Sequence, residues 1–263
     1  MSTALSRPVY LCLLALLVAL GAFLRFYPSA GFHGRGFDEQ VYENYARWID
    51  DHSLWNYPRF CEEFLSYQKN HPLAFPPPTR ITYVWSGCLW HTITGASLRQ
   101  SLVQVSALFN TLSILLAALF ALRLGGRAMS LGVAALMSTA IGLIHQSQHA
   151  LIDGYFAFWA LAALWAFWEV LRHPERKGLL WVYAAMIVAM MLTKENAFFV
   201  CMAFCGIILL NAWLRFGTVT RPLLLTTVAA GLAGFAALAL LTGGPSMLVD
   251  IYQTQGAKSV VFP

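Results

Sequence analysis

Apolar and polar positions along this chain come in long blocks. Apolar runs cover roughly 8–27, 100–122, 128–145, 154–171, 178–193, 196–214 and 222–242. Each is at or near the ~17–25 residues that carry a helix across a bilayer. Charged breaks separate them, such as "RLGGR" at 123–127 and "RHPERK" at 172–177. This pattern predicts an all-α, polytopic transmembrane helical bundle, a single membrane domain over 1–263 with about seven crossings. The first run is longer than a signal-peptide core of about 7–15 residues and reads as a retained first crossing.

The stretch 28–98 breaks the pattern, being polar, aromatic and proline-rich. Within it, "GFDEQVYENYARWID" (36–50) puts Val41, Tyr45 and Trp48 on one helical face, with Tyr42 and Ile49 beside them. Glu39, Glu43, Arg47 and Asp50 fall toward the other side, as in an amphipathic helix lying in an interface. Residues 79–97 are apolar but short and rich in Thr and Ser, and read as a second interfacial helix. The "PPPTR" before them cannot continue a helix, because proline lacks the N–H donor, and it forms a stiff joint. A polar tail follows the last run.

Sidedness follows from the basic residues. With 79–97 interfacial, Arg7, Arg123, Arg127, Arg172, Arg176, Lys177, Arg215 and Arg221 all fall on one side, the cytoplasmic side by the positive-inside rule. The opposite short connections, "HQSQHALID" and "TKEN", hold Lys194 as their only Lys or Arg. The Asp38–Glu39 pair, both of these turns and the tail then share the extracytoplasmic face. The expected location is the plasma (inner) membrane with a cytoplasmic N-terminus.

Composition agrees. The 263 residues are 59% hydrophobic and 11% charged, less than half of the ~25% charge of soluble domains. The net charge of +5 is spread between apolar runs, which argues against a nucleic-acid partner. Of five cysteines, Cys61 and Cys88 alone fall in the polar stretch, where an oxidising compartment would allow them to pair.

Several side chains have two readings. Asp38 is placed to cap the helix that follows it, with Phe37 stapled on Tyr42, or to act as a catalytic acid–base group. Asp153 is either the cap of the 154–171 helix or a functional boundary acid. His145 and His149, at i,i+4 spacing, suit a polar lining, a phosphate or a metal. Lys194 either snorkels outward from the membrane boundary or holds an anionic headgroup.

Taken in order, the "DE" opening an outer-loop helix, "PPPTRITYVW", "LIDGYFAFWALAALWAFWEVLR" and "MLTKENAFFV" resemble the GT-C superfamily of integral-membrane glycosyltransferases. The nearest kinds are the family-39-type protein O-mannosyltransferases and lipid A aminoarabinose transferases. The resemblance covers most of 8–215 and implies transfer from a polyprenyl-phosphate sugar to a hydroxyl of a protein, lipid or glycan. It implies Asp38 as the catalytic acid–base residue and Glu39 as its neighbour positioning donor or acceptor. Asp153, with His149, would support the acceptor or, in some members, a divalent cation. Lys194 and Arg80 would face the donor phosphate. Family members usually extend further, so a C-terminal part is expected to be missing. Two other classes stay open, a non-catalytic membrane subunit and a lipid or sugar transporter; against the latter, no internal repeat is visible.

Overall fold

The structure, a computed structural model, describes residues 5–27 and 36–259. Among the described residues there are eleven α-helices and no strand. In chain order they are α1 (Arg7–Phe26), α2 (Phe37–His52), α3 (Tyr57–Asn70), α4 (Ile81–Thr94), α5 (Leu98–Thr139), α6 (Ile141–Ser147), α7 (Asp153–Arg172), α8 (Lys177–Met191), α9 (Ala197–Leu214), α10 (Arg221–Thr242) and α11 (Pro245–Ser259). Five of these, α1, α5, α7, α9 and α10, are long and apolar enough to cross a membrane, and α8 is a shorter apolar helix.

At 42 residues, α5 would run ~63 Å if straight, twice the ~30 Å hydrocarbon layer. It is not straight. Gly126 adopts φ +77°, ψ −167°, outside helical space. Beyond it, the Ser130 hydroxyl donates to the Ala118 carbonyl at 2.7 Å. Twelve residues of continuous helix would hold those atoms ~18 Å apart, so α5 is an antiparallel hairpin.

α1 packs against this hairpin. Tyr10 hydrogen-bonds Ser130 at 3.0 Å and the Ser138 hydroxyl donates to the Leu17 carbonyl at 2.8 Å. Arg25 is 1% exposed, and its guanidinium donates to the carbonyls of Gly21, Met137 and Ser138 at 3.0, 2.8 and 3.2 Å. Two of these belong to the last turn of α5, whose carbonyls lack intrahelical partners.

A second core joins α7 to α10 around Phe167, Tyr183, Ile187 and Phe204. A third joins α2, α3 and α4 to the start of α5 and the end of α10 around Tyr42, Tyr57, Tyr83 and Leu238. The 14-residue α4 is ~21 Å long, short of the hydrocarbon layer. The proline joint is pinned by the Tyr45 and Tyr57 hydroxyls, which donate to the carbonyls of Pro76 and Pro78.

The tail and the two cysteines of the polar stretch have defined places. The polar tail is helical through Ser259, because Leu248 and Ile251 recur three residues apart and bury against the third core. Cys61 and Cys88 are unpaired. Each is buried in that core, and burial pushes each thiol up to about 12.

Only a residue without a side chain adopts the Gly126 conformation cheaply. Gly126→Ala is expected to destabilise the fold by about 1–3 kcal/mol. Gly132→Ala, in the same helix with open space around the added methyl, should leave the melting temperature unchanged or raised. Thermal melts of both variants in detergent check this.

Candidate active site

α2 begins at Phe37 with Gly36 as its N-cap. Glu39, at the third helical position, accepts from the Gly36 N–H at 3.4 Å. Gly36 has no side chain to return the bond, so this is half of a capping box. The expectation that Asp38 caps α2 is therefore corrected: Glu39 takes that part and Asp38 lies inside the first turn. Phe37 stacks on Phe75, with ring centroids 5.1 Å apart. Glu39 is also not on a solvent face. It is 3% exposed, because the first turn of α2 runs against the start of α5 and the loop before α7. There Glu39 Oε1 accepts from His149 Nδ1 at 2.5 Å, and Arg99 Nη2 lies 3.8 Å from Oε2.

One turn further along α2, the buried Tyr42 hydroxyl bonds Arg80 Nη1. Arg80 follows the proline joint and is 8% exposed. It reaches Glu195 through two nitrogens, Nη2 to Oε1 at 2.7 Å and Nε to Oε2 at 3.4 Å. Burial alone would raise the Glu195 carboxyl, but the hydrogen bonds and charge of Arg80 outweigh it and hold the group below its ordinary value. The adjacent Lys194 Nζ donates to Asp153 Oδ1 at 2.6 Å.

Backbone links fix these partners. The Thr82 N–H donates to the Leu192 carbonyl at 3.2 Å and its hydroxyl meets that of Thr193 at 2.8 Å, joining α4 to the "TKEN" turn. The Ser106 hydroxyl donates to the Leu151 carbonyl at 2.9 Å and bonds the Tyr83 hydroxyl at 2.9 Å. At Gly154 a Cβ would lie 1.8 Å from Asn110 Nδ2, so glycine there lets α7 start hard against α5.

The result is a closed ring. Side-chain contacts run from Tyr42 to Arg80 to Glu195, from Lys194 to Asp153 and from His149 to Glu39, and the backbone closes the ring between Glu195 and Lys194, between Asp153 and His149 and along α2, with the buried Tyr83 nearby. Tyr252 of α11 lies beside Thr79, Arg80 and Glu195. Of the six residues singled out in the sequence, Glu39, Arg80, His149, Asp153 and Lys194 are members of this assembly, and Asp38 stands beside it on the first turn of α2. Tyr42, Arg99 and Glu195 as partners were missed. The fourfold spacing of Tyr42 from Asp38 was the only local signal for any of them. Asp38 is half-buried and, among the described residues, makes no hydrogen bond or ion pair. No group of three or more His, Cys, Asp or Glu among the described residues can hold a metal ion.

The sequence pattern of the dolichyl-phosphate-mannose-protein mannosyltransferases matches residues 15–243. The chain belongs to that family. The mannosyltransferase match places it in the GT-C superfamily of membrane glycosyltransferases. The fold is also similar to that of the Archaeoglobus fulgidus oligosaccharyltransferase in its apo form, with a TM-score of 0.67 at 15% identity. That likeness covers 98% of this chain and 33% of the archaeal one, so the chain spans a third of that protein's length. No curated protein matches it.

Removing Glu39 strands the cap and His149, whereas removing Asp38 strands nothing among the described residues. Glu39→Ala is expected to cost about 1–3 kcal/mol and Asp38→Ala less than ~0.5 kcal/mol, measured by denaturation in detergent. Glu195 gives a pH signature. With its folded value depressed, its stabilising contribution is complete above the ordinary carboxylate range of about 4.3 and is lost as pH falls through the lower folded value. The melting gap between wild type and Glu195→Gln should stay level from about pH 8 to pH 5 and close in stronger acid.

Proposed function

We propose that this chain carries the catalytic core of a glycosyltransferase that moves a sugar from a polyprenyl phosphate to a hydroxyl on a protein, lipid or glycan. The carrying observation is the state of Asp38. Of the four carboxylates at the ring, Glu39, Asp153 and Glu195 are each engaged by a cation or an imidazole, and Asp38 alone has no partner among the described residues. An unengaged, half-buried carboxylate on the first turn of a rigid helix is oriented and still able to take a proton.

In this reading the acceptor oxygen attacks the anomeric carbon as its proton passes to Asp38. The bond from that carbon to the phosphate oxygen breaks, and the polyprenyl phosphate leaves with the electron pair. The transition state is oxocarbenium-like, so negative charge beside the sugar favours it. Lys194 and Arg80 offset the charge that grows on the phosphate. Asp153 holds Lys194 until a phosphate competes for it, and Glu39 with His149 fixes the turn that presents Asp38.

An apolar groove of about 590 Å³ between α9 and α10 supports a lipid-linked donor. Met191 and Phe198, which line its near end, flank Lys194 in sequence by three and four residues. A polyprenyl tail along this groove would leave its phosphate at the lysine. Eight of the 17 Lys and Arg residues, Arg7, Arg123, Arg127, Arg172, Arg176, Lys177, Arg215 and Arg221, sit in the short connections and terminus away from the ring, and because short connections weigh most in sidedness this supports an extracytoplasmic site, a cytoplasmic N-terminus and a seven-crossing path.

The test is transfer of radiolabelled sugar from polyprenyl phosphates to envelope acceptors by the purified chain. Asp38→Asn should lower turnover by about 10²–10⁴-fold at unchanged donor affinity, since a general base contributes that much to the chemical step. Equal turnover in variant and wild type would remove Asp38 from the chemistry.

A further inference from the structure

About 24 Å along α7 from Asp153, at the end of the bundle far from the ring, lies a second polar assembly. The outgoing limb of the α5 hairpin, the last turns of α7 and the first turns of α8 enclose a cleft of about 320 Å³. Its floor is apolar, built from Leu116, Val182 and Met186. Its rim carries Arg123 and Arg176.

Glu169 organises the cleft. Its Oε1 accepts from Trp165 Nε1 at 3.0 Å and lies 3.3 Å from Arg123 Nε. His173 Nε2 stands 3.7 Å from Oε2. Arg123 is thus gripped by its Nε, and its two terminal nitrogens have no partner among the described residues. Arg176 has only a long ion pair, Nε to Glu175 at 3.8 Å. The rim therefore presents two guanidinium forks, while the one carboxylate lining the cleft is already engaged.

A membrane protein needs basic residues at one end to set its orientation, but that requirement does not place two of them around an apolar cavity. A guanidinium fork matches two phosphate oxygens, and an apolar floor in a membrane helix bundle accepts acyl chain. Basic pockets between membrane helices recognise anionic headgroups in this way. A zwitterionic headgroup would carry its own cation up against the same two arginines, which disfavours it. We propose that this cleft seats one anionic phospholipid, with its phosphate across Arg123 and Arg176 and its acyl chain on the floor of Leu116, Val182 and Met186.

Native mass spectrometry of the full chain, titrated with phosphatidylglycerol or with phosphatidylcholine of the same chains, tests this. Wild type should retain one phosphatidylglycerol in preference to phosphatidylcholine. The Arg123→Gln/Arg176→Gln pair should weaken that retention roughly thirtyfold, the effect of two interfacial cations. Arg47→Gln/Arg59→Gln, in exposed helical ion pairs of α2 and α3, should leave it unchanged. Ala162→Trp, which fills the cleft and keeps both charges, should also abolish retention. If the glutamine pair does not fold, the tryptophan variant decides. Equal retention of both lipids, full retention by either variant, or displacement of phosphatidylglycerol by millimolar inorganic phosphate would overturn the proposal. Lipid retention is read without any transfer reaction, so the result stands apart from the proposed activity.

Discussion

A guanidinium cannot be buried in this chain without partners. Arg25 meets it with backbone carbonyls, and Arg80, 8% exposed, meets it with side chains. Its charge is permanent, its surroundings are nearly dry, and an isolated ion there would cost several kcal/mol. Glu195 and the Tyr42 hydroxyl meet it from two other parts of the chain. Satisfying this one group brings the proline joint, α2 and the turn between α8 and α9 to a single point. The Thr82–Thr193 and Lys194–Asp153 contacts then follow at short range, because their residues are neighbours in sequence of groups already fixed.

The broad architecture was legible because the bilayer writes it in composition. Apolar runs punctuated by arginine mark helices, and the asymmetry of the basic residues sorts the connections, so the six singled-out residues could be assigned to one face before any geometry was known. The cap of α2 was misread, since a glycine N-cap has no side chain and Asp38 has the more familiar capping chemistry. The helix at 245–259 was hidden for another reason: its buried positions, Leu248 and Ile251, are too few to show a period. The pairing of Arg80 with Glu195 spans 115 residues, and no local pattern encodes it.

The two ends of the bundle differ in how they use charge. At one, among the described residues, Glu39, Asp153 and Glu195 of the ring are each engaged by a partner, and Asp38 is left unpaired on a helix that those contacts hold still. At the other, the half-buried Glu169 restrains Arg123 by one edge and leaves the rest of it outward. The fold is similar to that of the archaeal oligosaccharyltransferase at only 15% identity. A backbone arrangement persists while the side chains that dress it change, because the bilayer constrains helix length and polarity far more than residue identity.

The ring is assembled from residues 38–42, 80, 149–153 and 194–195, and this scatter bears on biogenesis. At roughly 5–20 residues per second, a ribosome needs about 6–23 s to travel from Arg80 to Glu195. Throughout that interval Arg80 lacks its carboxylate partner. It must stay hydrated, or lean on lipid phosphates, until the turn after α8 arrives. The site therefore comes into being late and all at once, as the last partner is threaded into place.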